Sequence, residues 1–341
     1  MNYRRLGNSG LLVSDLALGT MIFGEKKERS TSADEATRII HRYLDVGGNH
    51  IDTANVYAGG RSEEIVGEAL HGHRDNVVLA TKVRFPMGEG VNDGGLSRHH
   101  IFRSVEASLK RLQTDVIDLL YMHCWDPLTP IEESLRAFDD LVSVGKVRYI
   151  GVSNFKAWQL MKALGISEQY KWARFVAAQY QYSLVTRDIE KEYLDLCASE
   201  GVGLVPWGPL GGGFLSGKYQ QNQKPTESAQ GRLATSPSHE EEAWERRNIE
   251  HNWQIITAVN EVAAKYNATH SQIALAWLLT RTAVASIILG VRTLEQLNDN
   301  LGTSEISLTP EDINLLNQAS ATPAGYPYRF ITNYGQRHAG G

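Results

Sequence analysis

Short apolar runs rich in β-branched residues alternate along the chain with longer segments of helical periodicity. This alternation is typical of βαβ units and predicts a parallel sheet. We predict eight strands, at residues 16–19, 50–53, 77–82, 116–122, 149–153, 175–179, 204–207 and 286–289. Eight strands separated by helices predict a closed (β/α)8 barrel of the α/β class, which commonly forms one domain of roughly 250 residues or more.

The intervening helices are predicted from apolar spacing and from residues that begin or end a helix. Ser62, followed by Glu63 and Glu64, begins one of them, because acidic side chains are favoured at a helix amino terminus. Pro130 suits the first turn of another. The predicted helices are residues 33–45, 62–70, 99–112, 131–144, 188–198, 253–266, 271–280, 294–301 and 310–319.

The longest interval between successive predicted strands lies between the seventh and the eighth. It contains residues 220–247, a polar stretch rich in Gln, Glu, Ser and Pro. We predict a mobile insertion here, and it is a candidate lid because long loops after barrel strands build active sites. The barrel is predicted to be a single domain over residues 1–320, followed by a loose C-terminal tail at residues 321–341.

Composition argues against several classes of function. A net charge of −5 does not fit a general nucleic-acid-binding protein, which would carry a basic surplus. The two cysteines, Cys124 and Cys197, form no CxxC motif, so neither a thiolate zinc site nor a redox pair is indicated. No apolar run is long enough for a signal sequence or a membrane span. We therefore expect a cytoplasmic protein without a membrane partner.

Polar residues follow three successive predicted strands. Asp52 and Tyr57 follow the second strand, Lys82 ends the third and His123 ends the fourth. In a parallel barrel the carboxyl ends of the strands form one mouth, where the active site lies. Each residue alone has an ordinary structural interpretation, such as a helix cap, a packing residue or a surface lysine. Their occurrence after successive strands favours a shared site.

The four side chains together fit proton transfer. A phenol has an ordinary pKa of about 10, and a neighbouring ammonium lowers it by stabilising the phenolate. A carboxylate beside Lys82 would keep that lysine charged, and a neutral imidazole could hydrogen-bond a substrate carbonyl. Together the four side chains could protonate an oxyanion as a hydride reaches the carbonyl carbon. The hydride must come from a nicotinamide, because no side chain supplies one.

The segments Arg61-Ser62-Glu63, His123-Cys124-Trp125-Asp126-Pro127 and Gly217-Lys218 resemble those of bacterial and potassium-channel-β-like members of the aldo-keto reductases. Four segments resemble motifs of the family as a whole. They are Ile51-Asp52-Thr53-Ala54 with Tyr57 and Arg61-Ser62-Glu63-Glu64; Asp118-Leu119-Leu120-Tyr121-Met122-His123; Val147-Arg148-Tyr149-Ile150-Gly151-Val152-Ser153-Asn154-Phe155; and Ile288-Leu289-Gly290-Val291-Arg292-Thr293 with Gln296, Leu297 and Asn300. The resemblance extends from about residue 3 to residue 319. One departure is Leu289, where the family commonly has proline.

The resemblance implies that Asp52, Tyr57, Lys82 and His123 are the catalytic tetrad. It also implies that NADPH lies across the barrel mouth without a Rossmann domain. The cofactor-binding residues that it implies are Gly19, Thr20, Met21, Asp52, Ser153, Asn154, Gln179, Trp207, Gly208, Pro209, Leu210, Gly211, Gly213, Lys218, Arg232, Gly290, Arg292, Gln296 and Asn300. Lys218 and Arg292 suit the 2′-phosphate and are the reason for expecting NADPH over NADH, with Arg232 a candidate clamp.

The expected activity is reduction of an aldehyde or ketone to the alcohol. Pocket walls are predicted at Met21, Phe23, Tyr57, Phe85, Trp125 and residues of the insertion. The aromatic members fit a bulky cyclic ketone such as a sugar-derived, steroid-like or toxin carbonyl. No metal site is expected. The alternatives are a redox-sensing regulatory subunit that binds NADPH with little turnover, and a metal-dependent barrel hydrolase. The sequence leaves open the physiological substrate, the direction in the cell and whether the chain forms a homo-oligomer.

Overall fold

The computed structural model describes residues 1–25, 30–226 and 231–335. The chain begins with an antiparallel hairpin of β1 (Tyr3–Arg5) and β2 (Leu12–Ser14), which the sequence pattern did not predict. Leu6 and Val13 of this hairpin are fully buried in the cluster that fills the barrel interior. The hairpin also hydrogen-bonds the turn before the seventh barrel strand, through Asn8 N and Gly201 O. It therefore closes the barrel at the amino ends of the strands.

Eight parallel strands form the predicted barrel. They are β3 (Leu16–Gly19), β4 (His50–Asp52), β5 (Val78–Val83), β6 (Ile117–Met122), β7 (Val147–Ser153), β8 (Phe175–Gln179), β9 (Gly203–Leu204) and β10 (Ile287–Gly290), and the sheet order runs β10-β3-β4-β5-β6-β7-β8-β9. Backbone bonds from Leu204 N to Ala283 O and from Ala285 N to Leu204 O, both 2.8 Å, join its two edges. The sheet is thereby closed into a (β/α)8 barrel.

The seventh barrel strand is shorter than predicted. Regular pairing in β9 ends at Leu204, two residues before Pro206, which has no N–H to donate to a ladder. Trp207 nevertheless stays attached to the preceding strand segment, because its backbone N–H donates to Tyr180 O at 2.9 Å. Trp207 therefore lies at the barrel mouth, beyond the end of the regular strand β9.

The helices confirm most of the predicted pattern, with bounds that shift by a few residues at most. They are α1 (Ala33–Asp45), α2 (Arg61–Ala69), α3 (Arg98–Arg111), α4 (Ile131–Ser143), α5 (Ala157–Tyr170), α6 (Tyr193–Glu200), α7 (Arg232–Thr235), α8 (Trp244–Arg247), α9 (Glu250–Tyr266), α10 (His270–Leu279), α11 (Leu294–Leu301), α12 (Pro310–Ala319) and α13 (Tyr328–Tyr334). The segment predicted as one helix over 188–198 is a 3-10 turn, Asp188–Lys191, followed by α6.

The helix α5 was not predicted. It buries apolar residues such as Leu160 and Leu164, but it also exposes Trp158 and Met161, so its sequence has no single apolar stripe. Within the predicted C-terminal tail, residues 321–341, the chain forms the short helix α13, which has no buried residues. Residues 336–341 of that tail lie outside the described residues. Within the described part of the chain, no helix is long and apolar enough to cross a membrane.

The predicted insertion at residues 220–247 contains two short helices, α7 and α8, in its described part. Leu233 of α7 and Trp244 of α8 are buried in the main hydrophobic core. The insertion thus packs on the barrel through apolar contacts.

Candidate active site

The predicted convergence of four polar side chains is present at the carboxyl ends of β4, β5 and β6. Lys82 is fully buried, and its ammonium donates a hydrogen bond to the Asp52 carboxylate. The same ammonium donates to the Thr53 carbonyl at 2.8 Å and to the Tyr57 hydroxyl at 3.2 Å. The His123 ring packs edge-on against the Tyr57 ring, with 5.9 Å between the centroids. The four residues form one connected cluster.

The ammonium of Lys82 is held in its charged form. Burial alone would lower the pKa of Lys82, but the Asp52 carboxylate and the Tyr57 hydroxyl outweigh burial and raise that pKa above its ordinary value. The second oxygen of Asp52 accepts a hydrogen bond from the Gln179 amide at 2.8 Å. This bond orients the carboxylate toward Lys82, and it shows that Gln179 contacts the cluster directly.

Two opposing effects act on the pKa of Tyr57. Burial raises the pKa of the Tyr57 hydroxyl, whereas the Lys82 charge acts in the expected lowering direction, and the net result is a raised pKa. Desolvation of the phenolate thus outweighs the neighbouring ammonium. Tyr57 consequently keeps its proton at neutral pH, which is the state that a proton donor requires.

His123 is neutral at physiological pH. Burial, together with the positive charges of Lys82 and Arg84, lowers the pKa of the His123 imidazole well below its ordinary value. The Phe85 ring packs against it at 4.8 Å between centroids. Its Nδ1 atom is buried and has no hydrogen-bond partner among the described residues. A neutral imidazole in this position can share a hydrogen bond with an oxygen in the cavity.

A cavity of about 560 Å³ lies over this cluster, and Asp52, Tyr57 and His123 line it. The structure brings nearly all of the predicted cofactor-binding residues to its wall: Gly19, Thr20, Met21, Asp52, Ser153, Asn154, Gln179, Trp207, Gly208, Pro209, Leu210, Gly213, Lys218, Arg232, Gly290, Arg292, Gln296 and Asn300. This volume lies within the usual range of ligand pockets.

Besides the fully buried Lys82, which lies behind Tyr57, three predicted site residues do not line the cavity. Phe23 is fully buried in the hydrophobic core, so its placement on the substrate wall is corrected. Trp125 packs against Phe155, with 5.0 Å between the ring centroids, and lies outside the cavity lining. Gly211 is buried, and the neighbouring Gly212 lines the wall in its place. Phe85 does line the cavity, next to His123.

Sequence reasoning did not single out several lining residues: Ile22, Val56, Ser216, Gly231, Glu242, Ser271 and Asp299. The most notable is Glu242, which is only 2% exposed and lies in the insertion. Its carboxylate pairs with the Arg232 guanidinium at 3.3 Å and accepts a hydrogen bond from the Gln181 amide at 3.4 Å. Glu242 ends a run of three glutamates, which in the sequence resembles a solvated acidic stretch. The predicted clamp residue Arg232 is therefore already engaged by a buried acid.

One end of the cavity is polar and closely connected to the tetrad. The Ser153 hydroxyl donates to Gln179 O at 2.8 Å, and the Asn154 amide donates to the Ser153 hydroxyl at 3.0 Å and to His123 O at 2.9 Å. Trp207 lines the same cavity. These contacts hold amide and hydroxyl groups next to an aromatic surface, as the carboxamide and the flat ring of a nicotinamide require.

Two cations, Lys218 and Arg292, also line the cavity. Burial and the nearby Arg292 guanidinium both lower the pKa of Lys218, so the two cations lie close enough to repel one another. The glycine-rich loop at residues 208–213 contributes Gly208, Pro209, Leu210, Gly212 and Gly213 to the cavity wall. At Gly213 the backbone φ is +88°, and a Cβ atom would lie 3.2 Å from Lys218 Nζ, so the loop and the lysine approach closely. Two cations beside a glycine-rich loop form a suitable site for a phosphate-bearing ligand.

The comparisons with known proteins agree with this geometry. The model of the aldo/keto reductase family matches residues 15–321. The chain belongs to this family. It is 39% identical to the uncharacterised oxidoreductase YrpG of Bacillus subtilis, over 95% of this chain and 98% of that protein. It is also 33% identical to a versiconal hemiacetal acetate reductase of Aspergillus parasiticus, over 96% of this chain and 99% of that protein.

A further relative is named for a different role. The chain is 34% identical to a probable voltage-gated potassium channel subunit beta of Arabidopsis thaliana, over 93% of this chain and 96% of that protein. The predicted similarity to this branch of the aldo-keto reductases is thus confirmed, together with the barrel fold. The comparisons support an oxidoreductase. Within the described part of the chain, no group of three or more His, Cys, Asp or Glu side chains could hold a metal ion.

Proposed function

We propose that this protein is an NADPH-dependent reductase that converts an aldehyde or ketone into the alcohol, with Tyr57 as the proton donor. The observation that carries the proposal is the 3.2 Å hydrogen bond between Lys82 Nζ and the Tyr57 hydroxyl, at the floor of a cavity that His123 also lines. Family membership supports the reaction class.

The residues of the cavity fit a nicotinamide dinucleotide phosphate. Ser153, Asn154 and Gln179 would hold the carboxamide, and Trp207 would stack on the ring. The loop at residues 208–213 would approach the pyrophosphate, and Lys218 and Arg292 would bind the 2′-phosphate. When bound, the cofactor supplies the hydride that no side chain of this cavity can supply.

The chain's own residues carry out the proton transfer. The neutral imidazole of His123 hydrogen-bonds the carbonyl oxygen and fixes its position beside the Tyr57 hydroxyl. Tyr57 gives its proton to that oxygen as the oxygen gains negative charge. The Lys82 ammonium stabilises the phenolate that remains, and Asp52 keeps Lys82 charged and oriented. The phenolate then recovers a proton from solvent at the cavity mouth.

The substrate that we propose is a carbonyl compound with a bulky, flat apolar body, such as a cyclic ketone or an aryl aldehyde. Ile22, Val56, Phe85 and Trp207 give the cavity apolar walls near Tyr57. Two relatives are named for related chemistry, the versiconal hemiacetal acetate reductase and a putative aryl-alcohol dehydrogenase of Schizosaccharomyces pombe, 35% identical to this chain. We also propose that residues 1–320 act as one domain in the cytoplasm.

The deciding experiment follows NADPH oxidation against a panel of aromatic and cyclic aldehydes and ketones, with the wild type beside Y57F. We expect turnover in the wild type and loss of at least about tenfold in kcat in Y57F, or ~1.4 kcal/mol in the barrier, with NADPH affinity within about twofold. A Y57F protein that keeps more than a tenth of the wild-type kcat would rule out Tyr57 as the donor.

A regulatory subunit is the second candidate, because of the similarity to the potassium channel subunit of Arabidopsis. The same measurements separate the two. Tight NADPH binding without oxidation by any member of the panel would favour the regulatory role.

A further inference from the structure

A buried carboxylate outside the cavity connects the elements that carry Tyr57 and Lys82. Glu63, in the first turn of α2, has a side chain with no exposed surface. One of its oxygens accepts a hydrogen bond from the Thr81 hydroxyl at 2.6 Å, and the other accepts one from Arg111 Nε at 2.7 Å. Glu63 does not line the cavity, so in this structure it faces neither substrate nor cofactor.

The bond to Thr81 fixes the strand that carries Lys82. Thr81 and Lys82 are neighbours in β5, and successive side chains of a strand point to opposite faces. Lys82 points into the barrel toward Asp52, whereas Thr81 points outward to the helical layer and meets Glu63. A hydrogen bond at Thr81 therefore restrains the backbone immediately behind the Lys82 side chain.

The bond to Arg111 supports the turn that carries Tyr57. This turn, Tyr57–Gly60, contains left-handed backbone at Ala58 and ends at Gly60 with a φ of +99°. The Arg111 side chain packs directly on Gly60, where a Cβ atom would lie 2.8 Å from Arg111 Cδ. Arg111 is held in that position by its ion pair with Glu63. A single carboxylate thus restrains the chain segments on both sides of the Lys82–Tyr57 contact.

We propose that Glu63, acting through Thr81 and Arg111, is a positioning residue that fixes the distance between Lys82 Nζ and the Tyr57 hydroxyl. The inference rests on the proposed function, in which that contact controls the acidity of Tyr57. A carboxylate suits this task because it offers an acceptor oxygen to each of two donors. Glutamine offers only one acceptor, and its amide N–H would face the Arg111 guanidinium or the Thr81 hydroxyl.

The test is E63Q, with D312N as a matched control. Asp312 is also a buried carboxylate, with Lys265 at 2.7 Å, Tyr266 at 2.9 Å and the Thr309 hydroxyl at 3.0 Å as its side-chain partners, and it joins α12 to α9 away from the cavity. We expect both variants to lower the Tm. Only E63Q should lower kcat, by about 10- to 100-fold, as expected for small displacements of catalytic groups. NADPH affinity should stay within about twofold of the wild type in both.

The pH profile supplies a second readout that a purely structural role would not change. The Lys82 charge lowers the pKa of Tyr57, so a longer Lys82–Tyr57 distance raises it further. In E63Q, the alkaline limb of kcat/KM should therefore move to higher pH. T81V, which removes only the hydrogen bond between Thr81 and Glu63, should show a smaller shift in the same direction. If E63Q does not fold, T81V carries the test alone.

The opposing results are distinct. The proposal would be overturned by an E63Q protein whose Tm falls as in D312N, while its kcat stays within about twofold of wild type and its alkaline limb within about 0.2 pH units. Loss of NADPH binding in parallel with activity would also overturn it. If the wild type shows no turnover at all, the proposed function fails instead. The positioning role is then tested by alkaline titration of tyrosinate absorbance. The difference between wild type and Y57F gives the titration of Tyr57 in the native background. The difference between E63Q and the E63Q/Y57F double variant gives it without the Glu63 carboxylate, and the two curves are compared.

Discussion

The ammonium of Lys82 donates a hydrogen bond to the hydroxyl of Tyr57 across 3.2 Å. The remaining hydrogen bonds of that ammonium go to the Asp52 carboxylate and the Thr53 carbonyl, so all three of its protons are used inside the protein. An ammonium with no free proton has a fixed direction, and its charge always acts on the phenol. The contact therefore prepares the stabilisation of a phenolate before any substrate arrives.

Neutralising Asp52 should disable this arrangement. In D52N the Lys82 ammonium would be buried without its anion, and burial lowers the pKa of Lys82 when the carboxylate no longer opposes it. We expect kcat at pH 7 to fall by about 100-fold or more, which is the scale of general acid catalysis. NADPH affinity, measured by fluorescence titration, should change much less. A D52N enzyme with normal kcat would show that Asp52 does not maintain the lysine charge.

The pH dependence should follow the raised pKa of Tyr57. Because the pKa lies above the ordinary value of 10.0, the donor is protonated throughout the neutral range. The rate of carbonyl reduction should therefore be flat from pH 7 upward and decline only above the range in which an ordinary tyrosine ionises. Steady-state kcat/KM across that range, on protein confirmed as folded at each pH, tests this. An alkaline limb centred near neutrality would show that the Lys82 charge outweighs burial.

Periodicity was sufficient to predict the barrel because its strands are buried on both faces and its helices mostly on one. It failed where burial is unusual. The helix α5 carries apolar side chains on opposite sides, such as Leu160 inside and Trp158 outside. The hairpin β1–β2 has strands of only three residues, too short for an alternating pattern to be visible.

The site was predictable where chemistry and strand position coincide, as at Lys82. The site was less predictable where the local path of the backbone decides whether a side chain faces the cavity or the core. Phe23, in the turn after β3, was placed on the pocket wall, but an apolar ring there can equally face the core, as it does. Glu242 gave no usable signal, because its burial depends on how the insertion folds back onto the barrel.

Removal of the Lys218 cation should make binding of the two nicotinamide cofactors, NADPH and NADH, respond differently. In K218M we expect the Kd for NADPH to rise by about 10- to 100-fold, the scale of one or two charge-assisted hydrogen bonds. The Kd for NADH should change by less than about threefold, since NADH lacks the 2′-phosphate. K224M is a suitable control, because Lys224 is half exposed and pairs with Glu245 instead of lining the cavity. Equal losses for both cofactors would contradict a 2′-phosphate contact.

His50 should make the fold sensitive to acid. It is fully buried in β4, its Nδ1 lies 3.0 Å from the Ser286 hydroxyl, and its Nε2 has no hydrogen-bond partner among the described residues. Burial, with a smaller contribution from the Lys82 charge and against the opposing Asp52 charge, lowers its pKa from 6.5 to about 4. Between the unfolded and folded pKa values, His50 binds a proton in the unfolded chain but not in the folded chain. The free energy of unfolding therefore decreases as the pH falls through this range.

The expected size of this effect is about 3 kcal/mol from a shift of this magnitude, complete only below the folded pKa. Urea unfolding of wild type and H50N at a series of pH values from 7 to 4 measures it. His123 also has a lowered pKa and contributes in the same direction in both proteins. The informative quantity is therefore the difference between the two curves. H50N should lose less stability on acidification than the wild type, whatever its stability at pH 7, and parallel curves would mean that His50 takes up no proton on unfolding.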